Sequence, residues 1–221
     1  MSGWQKALPW VVAFLVPPVL VLAVVRLMLT PLYIQVAYRL PGFPPDPEGL
    51  TQAERLHWAE ISRQYLLNDA GIDFLGNRRF PDGEPLFNAR ELHHMADVKR
   101  VVHGALWVWY ATLAALAALG LLSRRLGWMR AYRRGLMMGG WLTVGLTLAV
   151  LVLSVGAFQT IFVDFHRVFF EGDTWLFAPS DTLIRLFPER FWRDAFVFLG
   201  GMSLLLGRAL AMWAGGRGVV P

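Results

Sequence analysis

The hydrophobic residues of this chain are concentrated in four long runs and do not follow the periodic pattern of a soluble domain. The runs cover residues 8–29, 101–122, 136–158 and 196–213. Each has about 18 to 23 residues, which at about 1.5 Å per residue is long enough to cross a hydrocarbon core of about 30 Å. The pattern predicts an all-α polytopic membrane protein with a four-helix transmembrane bundle.

Charge predicts the orientation of these helices. The segment 123–135 carries five arginines and no carboxylate, whereas all sixteen carboxylates lie within residues 46–97 and 164–194. Because short loops rich in arginine stay in the cytoplasm, we expect both termini to be cytoplasmic and both acidic segments to be extracytoplasmic. The predicted segments are a tail with membrane helix 1 (1–29), an extracytoplasmic domain (30–99), membrane helix 2 (100–122), a basic cytoplasmic loop (123–135), membrane helix 3 (136–158), an interfacial extracytoplasmic segment (159–194), and membrane helix 4 with the C-terminal tail (195–221).

The first run predicts a retained signal anchor, because it is too long for the apolar part of a cleaved signal peptide. Pro17 and Pro18 should break the hydrogen bonding of this helix within the membrane and kink it. Arg26 lies about 27 Å beyond Leu8 along the helix, near the outer headgroups. There Arg26 either extends its side chain to the interface or orients a lipid carbonyl or phosphate.

The two predicted extracytoplasmic segments, 30–99 and 159–194, differ in their predicted structure. In the first, Thr51 and Glu54 form a predicted capping box for a helix over residues 52–67. Further on, a turn at residues 81–83 predicts a hairpin, so we expect a small α+β extracytoplasmic domain. The second segment, 159–194, is amphipathic and rich in aromatic residues, which is typical of an element that lies at the membrane interface.

Composition narrows the function classes. The chain is 56% hydrophobic, has a mean hydropathy of +0.44 and carries a net charge of +5. The basic residues follow the predicted topology, so they indicate contact with anionic lipid and not with nucleic acid. The absence of cysteine excludes disulfides, thiolate zinc ligands and a cysteine nucleophile.

The polar stretch 87–99, at the predicted start of the second membrane helix, is the strongest candidate for a site. On a helix, His94 and Asp97 within this stretch share one face. Counting outward from the arginine loop places His94 and His166 at similar heights, about 45–48 Å above the inner arginines. Helices joined by a short loop are usually neighbours, so the two histidines could face one site. Histidine transfers protons near neutral pH, which favours acid–base chemistry at the outer leaflet.

Other interpretations of these residues remain open. His93 and Asp97 lie four residues apart, and His166 with Asp181 could complete a metal site, although the sequence has no HExxH pair. Covalent catalysis by serine has no GxSxG motif to support it. His94 and His166 could also merely satisfy buried polar groups at the interface.

Two blocks of the sequence read ExxHMxDVK and FH…FF…DxWxFxPxDxLIxxFPxxFW. They resemble signatures of one bacterial integral membrane family, the lipoprotein intramolecular transacylases (Lit). The resemblance spans the chain in topology, is specific in these blocks and is weak over residues 30–68. The matching residues are Glu91, His94, Met95, Asp97, Val98 and Lys99 in the first block, and Phe165, His166, Phe169, Phe170, Asp173, Trp175, Phe177, Pro179, Asp181, Leu183, Ile184 and residues 187–192 in the second.

The resemblance implies an acyl shift within one substrate molecule, a diacylated bacterial lipoprotein in the cell membrane. The sn-2 acyl chain would move from the S-diacylglyceryl group of the N-terminal cysteine to the α-amino group of the same cysteine, giving a lyso-form lipoprotein. The resemblance implies that His94 is the base and His166 its partner, and that the reaction needs no metal and no cofactor. The residues expected to orient the pair or to bind substrate are Glu91, Asp97, Lys99, Asp164, Trp175, Asp181 and Arg26.

Two other functions remain open. The first is a membrane metallohydrolase that uses the same histidines. The second is a non-enzymatic membrane scaffold whose outer domain binds a partner.

Overall fold

A computed structural model of the protein describes residues 3–154 and 156–216. The predicted end segments of the chain include residues 1–2 and 217–221, which, like residue 155, lie outside the described residues. Within the described ranges the chain forms nine helices and no β-strand. The helices are α1 (Gly3–Met28), α2 (Pro31–Ala37), α3 (Gln52–Leu67), α4 (Asp73–Gly76), α5 (Ala89–Arg125), α6 (Met129–Ser154), α7 (Phe158–Phe169), α8 (Thr182–Leu186) and α9 (Glu189–Gly216).

Four helices, α1, α5, α6 and α9, are long and apolar enough to cross a membrane. This confirms the prediction of a mostly helical, multi-pass membrane protein with four membrane helices. Helix α5 has 37 residues. We take its apolar part, residues 101–122, as its membrane-spanning segment, and its polar first part, residues 89–100, lies outside that segment.

The chain divides into two compact units. The first, the membrane unit, contains residues up to Arg26, Ala105–Gly156 and residues from Val197 onward. The second contains Leu27–Gly104 and Ala157–Phe196. We call the second the histidine unit, because all five histidines of the sequence fall within it.

In the membrane unit, glycines allow helices to approach closely. A Cβ atom built on Gly139 of α6 would lie only 2.5 Å from the Val16 Cβ of α1 and 2.9 Å from the Ala13 carbonyl oxygen. Pro17 has no N–H to bond that carbonyl within α1, so the approach of Gly139 covers a polar group that the proline leaves free. Helix α1 continues through the predicted break at Pro17 and Pro18.

The histidine unit has its own apolar core, and helix α3 is part of its frame. The structure confirms the capping box that starts α3. The Glu54 N–H donates to Thr51 Oγ1 at 3.2 Å, and the Thr51 N–H donates to Glu54 Oε2 at 2.8 Å. The buried core residues of this unit are Tyr65, Leu75, Leu86, Phe87, Met95, Leu183 and Leu186.

The predicted α+β character of the first outer segment is wrong for the described residues. The turn near residues 81–83 is present, with the Phe80 N–H donating to the Glu84 carbonyl at 2.9 Å, but its arms pair only through one isolated bridge between Arg79 and Pro85. The pairing stops there because the Arg78 N–H donates to the Leu75 carbonyl at 2.9 Å and the Glu84 N–H donates to Asp82 Oδ1 at 3.1 Å, so neither donor reaches the opposite arm.

Buried charges tie the proline-rich connector to helix α8. Arg185 Nη2 donates to Asp46 Oδ2 at 2.9 Å, with the Asp46 side chain fully buried. Nearby, buried Arg55 donates through Nη1 to the Pro44 carbonyl at 2.7 Å and lies over the Tyr38 ring. These contacts fix α8, against which the start of α5 packs.

Candidate active site

The structure brings His94 of α5 and His166 of α7 together within the histidine unit. Their ring centroids are 6.2 Å apart, and their planes are inclined by only 21°. A general acid or base acts on groups about 2.6–3.2 Å away. The separation is small enough for both imidazoles to act on one bound molecule, through ring nitrogens that lie at the edges of the two nearly parallel rings.

Local sequence explains how α5 presents His94. The Glu91 N–H donates to Asn88 Oδ1 at 3.0 Å, and the Asn88 N–H donates to Glu91 Oε2 at 2.8 Å, which makes a reciprocal cap at the start of the helix. His94 follows Glu91 by three residues, so both lie on the same side of α5. The cap thus fixes the first turn of the helix that carries His94.

Aromatic rings surround both imidazoles. They come from α7 and from the loop that follows it, and residues 162, 166 and 170 are spaced by four, as neighbours along a helix are. The rings nearest His94 are Phe170 (4.8 Å between centroids) and Phe177 (5.3 Å), and those nearest His166 are Phe162 (4.2 Å), Trp175 (4.9 Å), Phe170 (5.5 Å) and Phe165 (5.6 Å).

His94 is neutral at pH 7. Its side chain is buried, and its Nδ1 atom has no hydrogen-bond partner among the residues that the structure describes. Burial, and secondarily the proximity of His166, lower the pKa of His94 to about 4. An unpartnered buried nitrogen costs free energy, so it is suited to contact a substrate.

His166 is less buried and has a fixed tautomer. Its Nδ1 lies 2.6 Å from the Phe162 carbonyl oxygen. A carbonyl can only accept, so Nδ1 carries the hydrogen, and the lone pair of the neutral ring is on Nε2. Burial lowers the pKa of His166, and the hydrogen bond to Phe162 opposes that effect.

Glu91 and Asp181 join the start of α5 to the segment around α8. The Leu183 N–H donates to Glu91 Oε1 at 2.6 Å, and Asn88 Nδ2 donates to Asp181 Oδ1 at 2.9 Å. Glu91 is only 1% exposed, and burial raises its pKa. Asp181 also accepts from the Ala178 N–H through Oδ2 at 2.8 Å, so both carboxyl groups hold backbone around the site.

Asp97 and Lys99 line a different face of α5. Both border a groove of about 500 Å³ that also contains His93 and Arg100. Asp97 pairs with Arg100 and lies 3.6 Å from His93. The Lys99 ammonium donates to the Ala70 carbonyl at 2.6 Å. This groove contains neither His94 nor His166, although Asp97 still acts on His94 by favouring its charged form.

The other predicted site residues occupy separate places. Asp164 is exposed and lies 3.7 Å from Arg167. Trp175 stacks near His166, as described above. Arg26 is half-buried in the membrane unit.

The residues of the predicted metal site are not grouped. Among the residues that the structure describes, no three His, Cys, Asp or Glu side chains are placed to hold a metal ion. His93 and Asp97 are in contact, but Asp181 is hydrogen-bonded at the start of α5 and His166 stacks in the aromatic cluster.

Three contributors to the site were given no role by sequence reasoning. Asn88 caps α5, the Phe162 carbonyl fixes the His166 tautomer, and the Phe177 ring packs against His94. A signal for Asn88 was present, because Asn followed three residues later by Glu predicts a helix start. The spacing of Phe162 and His166 by one helical turn was a second signal.

Comparisons with known proteins agree with one another. The family model described as "Lipoprotein intramolecular transacylase Lit" matches residues 10–192. An uncharacterized protein of Aquifex aeolicus is 29% identical over 189 residues, which is 82% of this chain and 81% of that protein.

Solved structures of the membrane integral lipoprotein intramolecular transacylase Lit from Bacillus cereus share the fold. One has a TM-score of 0.71 at 19% identity and covers 98% of both chains. Another, in which one histidine is replaced by arginine, has a TM-score of 0.64 at 20% identity and covers 97% of this chain and 95% of that one. A third, with alanine in place of a histidine, has a TM-score of 0.67 at 18% identity, with coverage of 96% and 94%.

Proposed function

The chain belongs to the lipoprotein intramolecular transacylase family Lit, and on that premise we propose the reaction and the residues that carry it. Membership makes the chain a membrane acyltransferase. We propose that it moves the sn-2 acyl chain of the S-diacylglyceryl group of a lipoprotein's N-terminal cysteine to the α-amino group of that cysteine. The observation that carries the proposal is the pair of imidazoles, His94 and His166, 6.2 Å apart in an aromatic setting.

The substrate itself lowers the demand on the enzyme. The attacking amine and the ester belong to one molecule, so a bound conformation that brings them together supplies much of the rate enhancement. No acyl-enzyme is required. The protein's task is to position the two groups, remove a proton from the amine and give a proton to the glycerol oxygen.

The two histidines have different roles because their surroundings differ. Burial lowers the pKa of both rings, but the carbonyl of Phe162 supports the charged form of His166, whereas His94 has a pKa of about 4. Paired groups whose environments separate their pKa values take separate roles. We assign His166 as the base and neutral His94 as the donor that polarises the ester carbonyl, which reverses the order favoured by the sequence.

The step then balances without a cofactor. The amine nitrogen attacks the ester carbonyl carbon, and the C–N bond forms as the carbonyl electron pair moves to oxygen, where the His94 N–H donates to it. His166 Nε2 takes the proton that the nitrogen loses. When the C–O bond to glycerol breaks, the His166 imidazolium returns that proton to the glycerol oxygen, so ester and amine become amide and alcohol.

The surrounding polar residues have supporting roles in this account. Glu91 and Asp181 hold the start of α5 against the α8 segment, which fixes the position of His94. Asp97 acts on His94 through its charge. Lys99 anchors α5 at the Ala70 carbonyl.

For Asp164 and Arg26, the proposed role is contact with the lipid-linked substrate at the membrane surface. Asp164 is exposed on α7, and Arg26 is close to the end of α1. We place the site on the extracytoplasmic side, with both termini and the basic loop 123–135 in the cytoplasm.

The proposal is tested with purified protein in lipid vesicles and a diacylated lipoprotein as substrate. The shift is internal, so the mass of the N-terminal lipopeptide should stay the same, while fragmentation in the mass spectrometer should show one acyl chain on nitrogen and one left on glycerol. Conversion should persist after exhaustive chelation. Loss of one acyl mass would instead indicate a hydrolase, and an unchanged fragment pattern would indicate a scaffold.

A further inference from the structure

We propose that Trp175 is a positioning residue for the acyl shift, whose indole ring stacks on the His166 imidazole and stabilises the imidazolium that forms when His166 takes the proton. The inference rests on the proposed function, because it assigns His166 the proton. It goes beyond that function by naming a second group, beside the Phe162 carbonyl, that supports the basicity of His166.

The geometry presents the face of the indole to the imidazole. The ring centroids are 4.9 Å apart, and the planes are inclined by 32°. The indole N–H is not available for His166, because Trp175 Nε1 donates to the Gly172 carbonyl at 3.1 Å. Contact between Trp175 and His166 is therefore made through the ring systems.

The loop that carries Trp175 is closed by its own hydrogen bonds. The Leu176 N–H donates to the Asp173 carbonyl at 3.1 Å, and Thr174 Oγ1 donates to the Glu171 carbonyl at 3.1 Å. Gly172 has a φ of +58°, a conformation that glycine adopts without strain. The loop is thus a preformed support that places one aromatic wall beside the histidine.

No carboxylate hydrogen-bonds to His166 in the part of the chain that the structure describes. His166 donates through Nδ1 to a neutral carbonyl, and Asp164 of the same helix pairs with Arg167. Stabilisation of a positive ring must then come from neutral groups. Among the described titratable or charged groups on the elements packed against this ring, His94 of α5 contacts it directly. On α7, Asp164 pairs with Arg167, and on α5, Asp97 pairs with Arg100, while Glu91 accepts from the Leu183 N–H. The loop contributes Glu171, Asp173 and Asp181, of which Asp181 accepts from Asn88.

A tryptophan face is the aromatic partner that attracts cations most strongly. At the usual strength of such contacts, the indole should hold the pKa of His166 higher by about 0.4 to 1.5 pH units than an aliphatic side chain would. His94 has phenylalanine rings beside it and no tryptophan within the described contacts, so the effect falls on one histidine of the pair.

The test replaces Trp175 with tryptophans that carry an increasing number of fluorine atoms, which weaken cation binding by the ring while keeping its shape. The pKa of His166 is read by NMR from imidazole-labelled protein in nanodiscs. It should fall stepwise along the series, to a total of about 0.4 to 1.5 pH units, and kcat should fall with little change in KM. The same series at Trp58, which lies beside His57 in the same unit, should leave the pKa of His166 unchanged.

Two further variants of Trp175 separate its role in positioning His166 from its role in stabilising the charged imidazolium. Trp175→Phe should retain a larger share of kcat than Trp175→Leu, because phenylalanine keeps a weaker aromatic face. A pKa of His166 that stays constant through the fluorinated series would overturn the inference. The NMR titration does not require turnover. If the unmodified protein fails to convert lipoprotein, the proposed function is wrong, but the titration still tests whether Trp175 raises the pKa of His166.

Discussion

At the scale of single residues, the two site histidines differ only in what surrounds them. His94 is enclosed with one ring nitrogen unpartnered, whereas His166 is anchored to a backbone carbonyl. Burial favours the neutral form in both, and the carbonyl contact partly restores the basicity of one. Two side chains of one type thereby acquire different proton affinities, as an acid–base pair requires.

Protonation of His94 should make stability depend on pH. Its pKa is about 4 when folded and about 6.5 when unfolded, so between these values the unfolded chain binds more protons. The free energy of unfolding should therefore fall as pH decreases from about 6.5 to 4, by at most about 3 kcal/mol from this group. His94→Gln should show a flatter profile in denaturation at each pH. Parallel profiles for the two proteins would contradict the assignment.

Glu91 is the residue whose loss should cost most stability near the site. Glu91→Ala leaves the buried Leu183 N–H and the partly buried Asn88 N–H without an acceptor, so the free energy of unfolding should fall by about 2–4 kcal/mol. Denaturant titration in detergent measures it. The control is Glu48→Ala at an exposed position, which should change the value by less than about 0.5 kcal/mol. Equal effects of the two substitutions would refute the role of Glu91.

At the scale of elements, α7 combines a site histidine with an exposed apolar face. Three residues of the chain separate its start from the end of α6, a membrane helix. One face exposes Phe165, Val168 and Phe169, with Val168 76% exposed, while His166 lies in the site. A helix with a wide apolar face beside a membrane span is suited to the lipid interface.

Because the chain has no cysteine, a single introduced cysteine can carry a spin label that reports the orientation of α7. A spin label at Val168→Cys should be more accessible to oxygen, which dissolves in lipid, than to a water-soluble nickel complex. A label at Thr160→Cys, an exposed polar position of α7, should show the reverse order. If the two positions behave alike in vesicles, α7 does not lie at the interface in the expected orientation.

The elements that sequence predicted best are those fixed by local interactions. Helix α3 has the predicted bounds because Thr51 and Glu54 cap it within one turn. The hairpin prediction was wrong because the pattern suggested strands, whereas the N–H groups of Arg78 and Glu84 bond within their own segments and do not extend the ladder. The contacts of Lys99 could not be predicted from the sequence, because its partner Ala70 lies in the loop between α3 and α4 and is brought near Lys99 only by tertiary packing.

At the scale of the whole molecule, sequence predicted four membrane helices because hydrophobic length is a property of the chain alone. The sequence also suggested His94 and His166 as partners. The two membrane helices that flank the arginine loop are joined by a short connection, and the two histidines lie at similar numbers of residues from that loop. The aromatic surroundings of the pair were harder to predict from the sequence. Their rings depend on how the loop after α7 folds, and sequence assigned those residues to the interface.

Topology is the prediction that belongs to this scale. Reporter fusions at Arg130 should indicate the cytoplasm, and fusions at Glu84 and Asp173 should indicate the outside, because the arginine-rich loop and the acidic segments lie on opposite sides of the predicted bundle. Fusions at Glu84 and Asp173 share the histidine unit. A cytoplasmic signal from either one would contradict the proposed location of the site.

The measurement that tests the central claim most directly is conversion of diacylated lipoprotein to its lyso-form by His94→Ala, His166→Ala and the double variant, at matched protein levels. Each single variant should lose about 10²-fold or more in turnover, and the double variant should be little worse than the worse single one, because the pair acts as a unit. The controls are His93→Ala and His57→Ala, which alter exposed histidines of the same unit and should keep most activity. Full activity in both His94→Ala and His166→Ala would contradict the account.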